Sequence, residues 1–519
     1  QYLSEFVAGL GLEWTEFLGL GRERPGDESE EFCMTVLALK LSAFANGVAK
    51  LHGCISRNMW KEIFPGIPED EVPIGSVTNG VHVRTWLNPQ LRNLFLRYLG
   101  PTSDNQLADF SMFKGAVSIP DEDLWEVHKF KRHKLIRFAR ERVREQLLRR
   151  GADGAQVASA DDLLNPDALT IGFARRFATY KRGNLWLSDP ERLHKILSNT
   201  KRPVQIIIAG KAHPADGGGK GIMKHVFSYA KNPEFVGKIV LLEDYDIDVG
   251  RRMVQGVDVW LNTPERPKEA SGTSGMKAAL NGGLNLSILD GWWDEAYTPE
   301  VGFAIGHGQD IGEPGYNPDT DADLLYSLLE RVVVPMYYDR DKKRVPRRWV
   351  AMMKASISEL GAYFNCHRMV SEYANEYYVR AERGHAELTA NGYQGVRELS
   401  AWLEELSDKW QGLEIIDVSS PSGTTLRRGD DLAVSAKVRL GSFAADNICC
   451  EVYHGPLGDD ELQAPERAPM KAVSTEDGIT TFEAIVECQR GGRYGFTVRV
   501  LPGHPNLPVH MLPNMVKWG

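Results

Sequence analysis

The pattern of apolar and polar positions changes its period twice along the chain. Over residues 31–57 apolar side chains (Met34, Val36, Leu37, Leu39, Leu41, Phe44) lead into Asn46-Gly47-Val48-Ala49-Lys50-Leu51-His52, and the spacing predicts helix. Pro65, Pro68 and Pro73 mark loops. From Ser76 to Leu87 a Thr-Asn-Gly turn predicts a short strand and loop. Residues 121–150 predict one long helix rich in Arg and Lys. Its charge suits a solvated, salt-bridged surface better than an anion-binding face.

From about Asp167 the pattern becomes strand, loop, helix, repeated. Apolar runs at 168–173, 204–209, 239–242, 257–261 and 284–289 predict a parallel sheet covered on both faces. Ligands bind outside the carboxyl ends of such strands, so the loops that follow them are where chemistry is expected. After about Gln411 the period drops to two. Runs at 432–440, 479–488 and 493–501 predict an antiparallel β-sandwich. It suits a carbohydrate-binding module or an inert packing domain; without an obvious exposed aromatic cluster, the inert reading is favoured.

Composition narrows the classes. A chain of 519 residues predicts two or three domains. A net charge of −9 argues against a general nucleic-acid binder, which needs a basic surface. The six cysteines have no C-x-x-C spacing, so neither a metal site nor a redox pair is indicated, and their sparse use suits a reducing cytoplasm. No signal peptide or membrane-spanning apolar run is evident, so no membrane partner is expected. The first residues (Gln1, then Phe6, Leu10, Leu12, Trp14) are already patterned, and the chain is expected to be a truncated one.

The densest chemistry lies in Glu269-Ala270-Ser271-Gly272-Thr273-Ser274-Gly275-Met276-Lys277-Ala278-Ala279-Leu280-Asn281-Gly282-Gly283. Small residues let backbone approach a ligand, and Ser or Thr can cap a helix starting near Gly275. The free N–H groups at that start attract a phosphate, and a lysine in the first turn can reach an aldehyde on the same ligand. That is what a pyridoxal phosphate Schiff base requires. By composition alone, a flexible Gly/Ser turn with a surface lysine is the competing reading. Arg175-Arg176-Phe177-Ala178-Thr179-Tyr180-Lys181-Arg182 gathers four cations in one loop, which is costly unless they face an anion or water. Tyr245, in Leu242-Glu243-Asp244-Tyr245-Asp246, belongs either to a site or to packing at a strand end. Trp292 and Trp293 form either a sugar-stacking platform or core.

The string at 269–277 closely resembles the cofactor-lysine motif of the α-glucan phosphorylases, commonly Glu-Ala-Ser-Gly-Thr-Gly-Asn-Met-Lys. Ser274 and Gly275 depart from it, and with the following Ala-Ala-Leu-Asn-Gly-Gly they resemble a short-form bacterial and archaeal subgroup. The loop at 175–182 is similar to the family's Lys-Arg-x-x-x-Tyr-Lys-Arg, with Arg175 where lysine is usual. Asp246 stands where long-form members often have arginine. Gly210-Lys211-Ala212-His213-Pro214, Thr78-Asn79-Gly80-Val81, Trp86-Leu87 and Asn46–His52 resemble further family segments, in family order. A family histidine is replaced by Ala43, which leaves His52 and His82 as weak site candidates.

The resemblance implies pyridoxal 5'-phosphate on Lys277, with Thr273, Ser274, Gly275, Arg175, Lys181 and Tyr245 around the cofactor. It implies glucose hydroxyls on Glu269, Ser271 and Gly272, and substrate phosphate on Arg176. Catalytic roles fall to Arg176, Lys181 and Lys277, with no metal. The implied fold is α/β: two Rossmann-like domains of the glycosyltransferase-B type, the first truncated (1–120), the second cofactor-bearing (121–410), then a β-sandwich (411–519). The implied reaction is reversible phosphorolysis of a terminal α-1,4-linked glucose. Its partners are an α-1,4-glucan or maltodextrin, inorganic phosphate and glucose 1-phosphate; homo-oligomerisation is left open. The piece alone is expected to be poorly active. Two alternatives stay open: a nucleotide-sugar glucosyltransferase of the same architecture, which needs no Lys277 imine, and a non-catalytic glucan-binding protein.

Overall fold

The aliphatic runs form strands because each is buried on both faces. Leu169–Ala174 (β1), Val204–Ala209 (β2), Ile239–Leu242 (β3), Val259–Asn262 (β4), Leu284–Ile288 (β5) and Gly302–Ile305 (β6) make one parallel sheet among the described residues. In this computed structural model those residues are 3–100, 111–310, 313, 316–420, 425–459 and 461–519. The strand order is β3-β2-β1-β4-β5-β6. Ile171 of β1 pairs with Ile206 on one side and Val259 on the other. The chain therefore reverses its direction of winding between β1 and β4, and at such a switch point the loops after the two central strands diverge and open a crevice. All five expected strands lie within two residues of their predicted ends. β6 was not anticipated: Gly302-Phe303-Ala304-Ile305 is short and begins with glycine.

The chain divides into two units. One comprises Gly47–Ile55 and Ser76–Tyr373 and holds the parallel sheet. The other comprises Gln1–Asn46, Ser56–Gly75 and Ala374–Gly519. The segment 1–120 is thus shared between them.

In the sheet-bearing unit the helix Asp121–Arg149 spans the expected range, but its basic face is not simply solvated. His128, Lys131, Arg132 and Gln146 are buried. Asp258, just before β4, draws two of them inward: His128 Nε2 and Arg132 Nη1 each lie 2.8 Å from its Oδ1, while Lys131 donates to the Asn281 carbonyl and Gln146 to that of Leu241. The expected helix over 31–57 is broken. Met34–Leu41 and Lys50–Trp60 are helical, Ser42 is extended and Ala45–Gly47 is a short extended segment. Gly47 approaches the next helix so closely that a Cβ there would be 2.6 Å from Gly53 N. The stretch 76–87 also differs: extended structure ends at Ser76 and Val83–Trp86 forms one helical turn.

In the other unit Glu414–Ser419 (β7), Asp431–Arg439 (β8), Ile448–Gly458 (β9), Glu461–Leu462 (β10), Glu466–Pro469 (β11), Lys471–Glu476 (β12), Ile479–Glu487 (β13), Tyr494–Pro502 (β14) and Lys517–Trp518 (β15) form two antiparallel sheets. Their orders are β12-β13-β8-β7 and β10-β9-β14-β15, with β11 also on β9. Val434, Ala436 and Val438 from one and Val452, Val498 and Val500 from the other share a core, as a sandwich requires. The segment 56–75 is held to it by Glu71, whose carboxylate lies 2.5 Å from the fully buried Arg499. Among the described residues no helix is long and apolar enough to cross a membrane.

Candidate active site

The loops after β1 and β4 emerge side by side at the switch point, because the two strands are hydrogen-bonded neighbours. The first carries Arg175 and Lys181, the second Glu269. Lys181 Nζ lies 2.9 and 3.1 Å from the two Glu269 oxygens, and Arg175 Nη2 pairs with Oε2. All three side chains are at most 12% exposed. Burial pushes the Glu269 carboxyl upward, but Arg175 and then Lys181 outweigh it and hold it below its ordinary value.

Two cations on one carboxylate leave donors over. Arg175 Nε and Nη1 are buried with no partner, and so is Ser271 Oγ on the neighbouring loop. Buried polar groups are ordinarily satisfied, so this concentration of free hydrogen-bonding capacity marks a place for a ligand that accepts strongly. Arg176 is exposed where Arg175 is buried, and it has no side-chain partner among the described residues. Alternation at the end of β1 puts one of the adjacent arginines inside and the other outside. Tyr245 is half-buried; burial and then Asp246 raise its phenol, opposed by Arg175.

Lys277 lies midway along the helix Ser274–Leu280. Neither expected cap forms. Thr273 makes no capping hydrogen bond, and Ser274 Oγ accepts the Trp260 indole N–H at 3.1 Å. Gly272 has φ +80°, a conformation that favours glycine. Gly275 is required by packing, since a Cβ there would collide with Asn285 Oδ1 and lie 2.8 Å from Trp292. The Lys277 ammonium lies 3.8 Å from the centre of the Trp86 ring and has no carboxylate partner among the described residues. Burial lowers its pKa, which favours the free, nucleophilic amine.

Three supporting residues were not foreseen. Asn281 donates from Nδ2 to the carbonyls of Lys277 and Trp86, both at 2.8 Å, and accepts the Asn88 N–H at 2.8 Å. It thereby locks the Trp86 segment over the lysine's helix; the i+4 spacing from Lys277 was the available signal. Trp86 appeared in the sequence only as half of a family dipeptide. Asp290 accepts the N–H groups of Glu269 at 3.0 Å and Gly291 at 2.8 Å, which fixes the start of the Glu269 loop. Burial pushes its carboxyl up to about 7. An Asp-Gly pair directly after a strand was its signal.

Other candidates are taken up by packing or by local hydrogen bonds. Trp292 and Trp293 are 2% and 0% exposed and belong to the core, so the sugar platform is ruled out. His52 Nδ1 accepts the Val48 N–H at 3.0 Å. His82 is exposed and lies 2.7 Å from Thr85 Oγ1.

Comparison with known proteins places this geometry in a lineage. The sequence profile described as carbohydrate phosphorylase matches residues 25–301, and that of the glycogen phosphorylase C-terminal domain matches residues 410–519. The chain belongs to the carbohydrate phosphorylase family. Among phosphorylases it is 38% identical to the maltodextrin phosphorylase of Thermococcus litoralis, over 99% of this chain and 60% of that protein. It is 39% identical to the glycogen phosphorylase of Mycobacterium tuberculosis, over 96% of this chain and 57% of the relative. With the glycogen phosphorylase of Aquifex aeolicus the identity is 45%, over 71% and 52%. The chain thus spans between about half and three fifths of these phosphorylases.

Proposed function

We propose that the chain supplies the cofactor-bearing part of an α-1,4-glucan phosphorylase of the glycosyltransferase-B type. Residues 121–410 would form the cofactor-bearing Rossmann-like domain, its last part from Ala374 lying in the compact unit that also holds the appended sandwich, 411–519. The observation that carries this reading is the set of unpartnered donors on Arg175, beside a carboxylate shared with Lys181 and on the same sheet edge as a desolvated lysine. The switch-point order of the sheet and the names of the relatives support it.

These residues fit pyridoxal 5'-phosphate. Lys277 would hold the aldehyde, with Trp86 covering its amine. The cofactor's phosphate would face Thr273, Ser274, Gly275 and Lys181, with Arg175 and Tyr245 beside it. When bound, the group supplies a second phosphate able to exchange a proton with inorganic phosphate.

In the reaction the bond from glucose C1 to the glycosidic oxygen breaks and one from C1 to a phosphate oxygen forms. The departing chain takes the proton that inorganic phosphate gives up, yielding glucose 1-phosphate and a shortened α-1,4-glucan or maltodextrin. Arg176 and Lys181 hold the attacking phosphate; two phosphates at close range repel, and fixed cations offset this. As an anion draws Arg175 and Lys181 away, Glu269 is released to accept a sugar hydroxyl beside Ser271 and Gly272. No metal and no carboxylate pair is needed.

The test is to load the purified protein with pyridoxal phosphate, reduce it with borohydride and map the label by mass spectrometry. The expected result is a single pyridoxyl group, on Lys277, together with phosphate-dependent release of glucose 1-phosphate from maltodextrin. Label on other lysines only, or a nucleotide-sugar requirement, would overturn the reading. Glucan binding that survives Lys277→Ala without any phosphorolysis in the parent protein would instead favour a binding module.

A further inference from the structure

A second concentration of positive charge lies away from Glu269. The segment Arg84–Gln90, the helix Asp121–Arg149 and the helix Ile247–Gly256 enclose a cavity of about 330 Å³. Five of its twelve lining residues are cationic (Arg84, Lys131, Lys134, Arg251 and Arg252) and none is acidic. That is a strong local inversion in a chain whose net charge is −9. Asp248, outside the lining, pairs with Arg251 and Arg252 at 2.6 and 2.7 Å.

Two buried groups point to a ligand. Lys131 is 2% exposed, yet its ammonium has one acceptor, the carbonyl of Asn281. An ammonium has three donors, so two are uncommitted. Burial pushes this amine down to about 7, with Asp258 opposing, and a nearby anion would favour its charged form. Gln90 Oε1 is buried with no partner, which leaves an acceptor waiting for a donor. Gln90 also opens the helix Pro89–Leu99, whose positive end lies at the cavity wall.

We propose that this cavity is a binding site for a small phosphate monoester carrying a free hydroxyl, the chemistry of a sugar or polyol phosphate. The phosphate takes the spare donors of Lys131 and the guanidinium and ammonium groups of Arg251, Arg252 and Lys134. The hydroxyl donates to Gln90 Oε1. The site is separate from the Glu269 cluster, but Asn281 joins them: it takes Lys131 on its carbonyl and donates to the carbonyls of Lys277 and Trp86.

A residue-resolved measurement tests this without reference to turnover or to the other phosphate site. The acetylation rate of Lys134 is followed by mass spectrometry with inorganic phosphate, with glycerol 3-phosphate, or with sodium chloride at equal ionic strength. Exposed Lys201, on the loop before β2 and outside the cavity lining, is the control. The expected result is at least threefold slower acetylation of Lys134 with either phosphate, at a lower concentration of glycerol 3-phosphate, and no change at Lys201. Arg251→Glu with Arg252→Glu, both exposed positions, should abolish the protection. Gln90→Leu should keep it for inorganic phosphate and remove the advantage of glycerol 3-phosphate. Chloride protecting as well as phosphate, or protection surviving the double substitution, would overturn the site.

Discussion

β4 has a buried carboxylate near each of its ends, and the two are treated differently. Asp258, at the amino end, accepts from Arg132 and His128 on Oδ1 and from the Thr170 N–H at 2.8 Å on Oδ2. Arg132 is further held with its guanidinium 5.7 Å from the Trp125 ring and 5.8 Å from the Tyr337 ring. Burial alone would raise the Asp258 carboxyl, but Arg132 and then His128 keep it below its ordinary value. Glu269, at the carboxyl end, also has two cations, yet Arg175 keeps two unpartnered nitrogens and Ser271 a hydroxyl without a partner. One cluster closes around its carboxylate; the other keeps capacity in reserve. A buried ion cluster is structural where its donors are used up and a candidate site where they are not.

The largest effect should come from opening the closed cluster. Asp258→Ala leaves Arg132 charged and unpaired inside the protein, and breaking a buried pair in this way costs about 3–5 kcal/mol. Chemical denaturation should show that loss in both the cofactor-free and the cofactor-loaded protein. A cost under about 1 kcal/mol would mean that the cluster is not what holds the helix Asp121–Arg149 to the sheet.

The next effect is on pH dependence and is read at the closed end. His128 is fully buried, and burial pushes it down to about 4 despite Asp258. Its unpartnered Nδ1 suits a neutral ring that donates from Nε2. The unfolded chain takes up this proton near pH 6.5, the folded one only near 4. Between those values the unfolded state binds more protons, so stability is present above about pH 6.5 and lost as the pH falls. The slope is about 1.4 kcal/mol per pH unit, or about 3 kcal/mol across the window. Denaturation of His128→Gln, which can still donate to Asp258, should show a slope shallower by one proton.

The same contrast explains what could be read from sequence. The parallel strands were legible because burial on both faces makes a run such as Ile206-Ile207-Ile208 unmistakable. β9 was missed although it is among the longest strands: Cys449, Cys450, Gly455 and Pro456 blur its alternation. The break at Ser42–Gly47 was missed because a close approach to Gly53 leaves no mark in apolar spacing. At the site, Glu269 through Lys277 was legible because its parts are contiguous. The inward turn of Arg175 and the outward turn of Arg176 depend on where β1 ends, to within one residue. Asn281 and Asp290 act through backbone groups brought to them by the fold, and the pairing of Asp258 with residues 126 and 130 positions earlier has no local signature.

Opening the site cluster should cost function more than stability. In Arg175→Ala, Glu269 keeps Lys181 at 2.9 Å, so the stability loss is expected to stay within about 1–2 kcal/mol. Phosphate-dependent turnover should fall about 100-fold, equivalent to about 2.7 kcal/mol of transition-state stabilisation. Arg175→Lys sharpens the point. If arginine clamps a phosphate with two parallel donors, lysine restores the charge but little of the rate. Full recovery would show that a point charge is enough.

The smallest effect is the most diagnostic, because it compares one hydroxyl with another. Ser271 Oγ is buried and unpartnered, so Ser271→Ala removes nothing the folded protein uses. Stability should stay level or rise by up to about 1 kcal/mol. The KM for maltodextrin should rise about fivefold, close to 1 kcal/mol, if that hydroxyl meets a sugar. At the closed end Thr170 Oγ1 donates to the Ala168 carbonyl at 3.1 Å and accepts from Gln205 Nε2 at 2.9 Å. Thr170→Val should therefore cost about 1–2 kcal/mol of stability and leave KM unchanged. Both substitutions remove one buried oxygen from the same unit, and only the state of that oxygen's partners separates them. If both variants lost stability alike, or both raised KM, the distinction between a closed and an open cluster would have no predictive content.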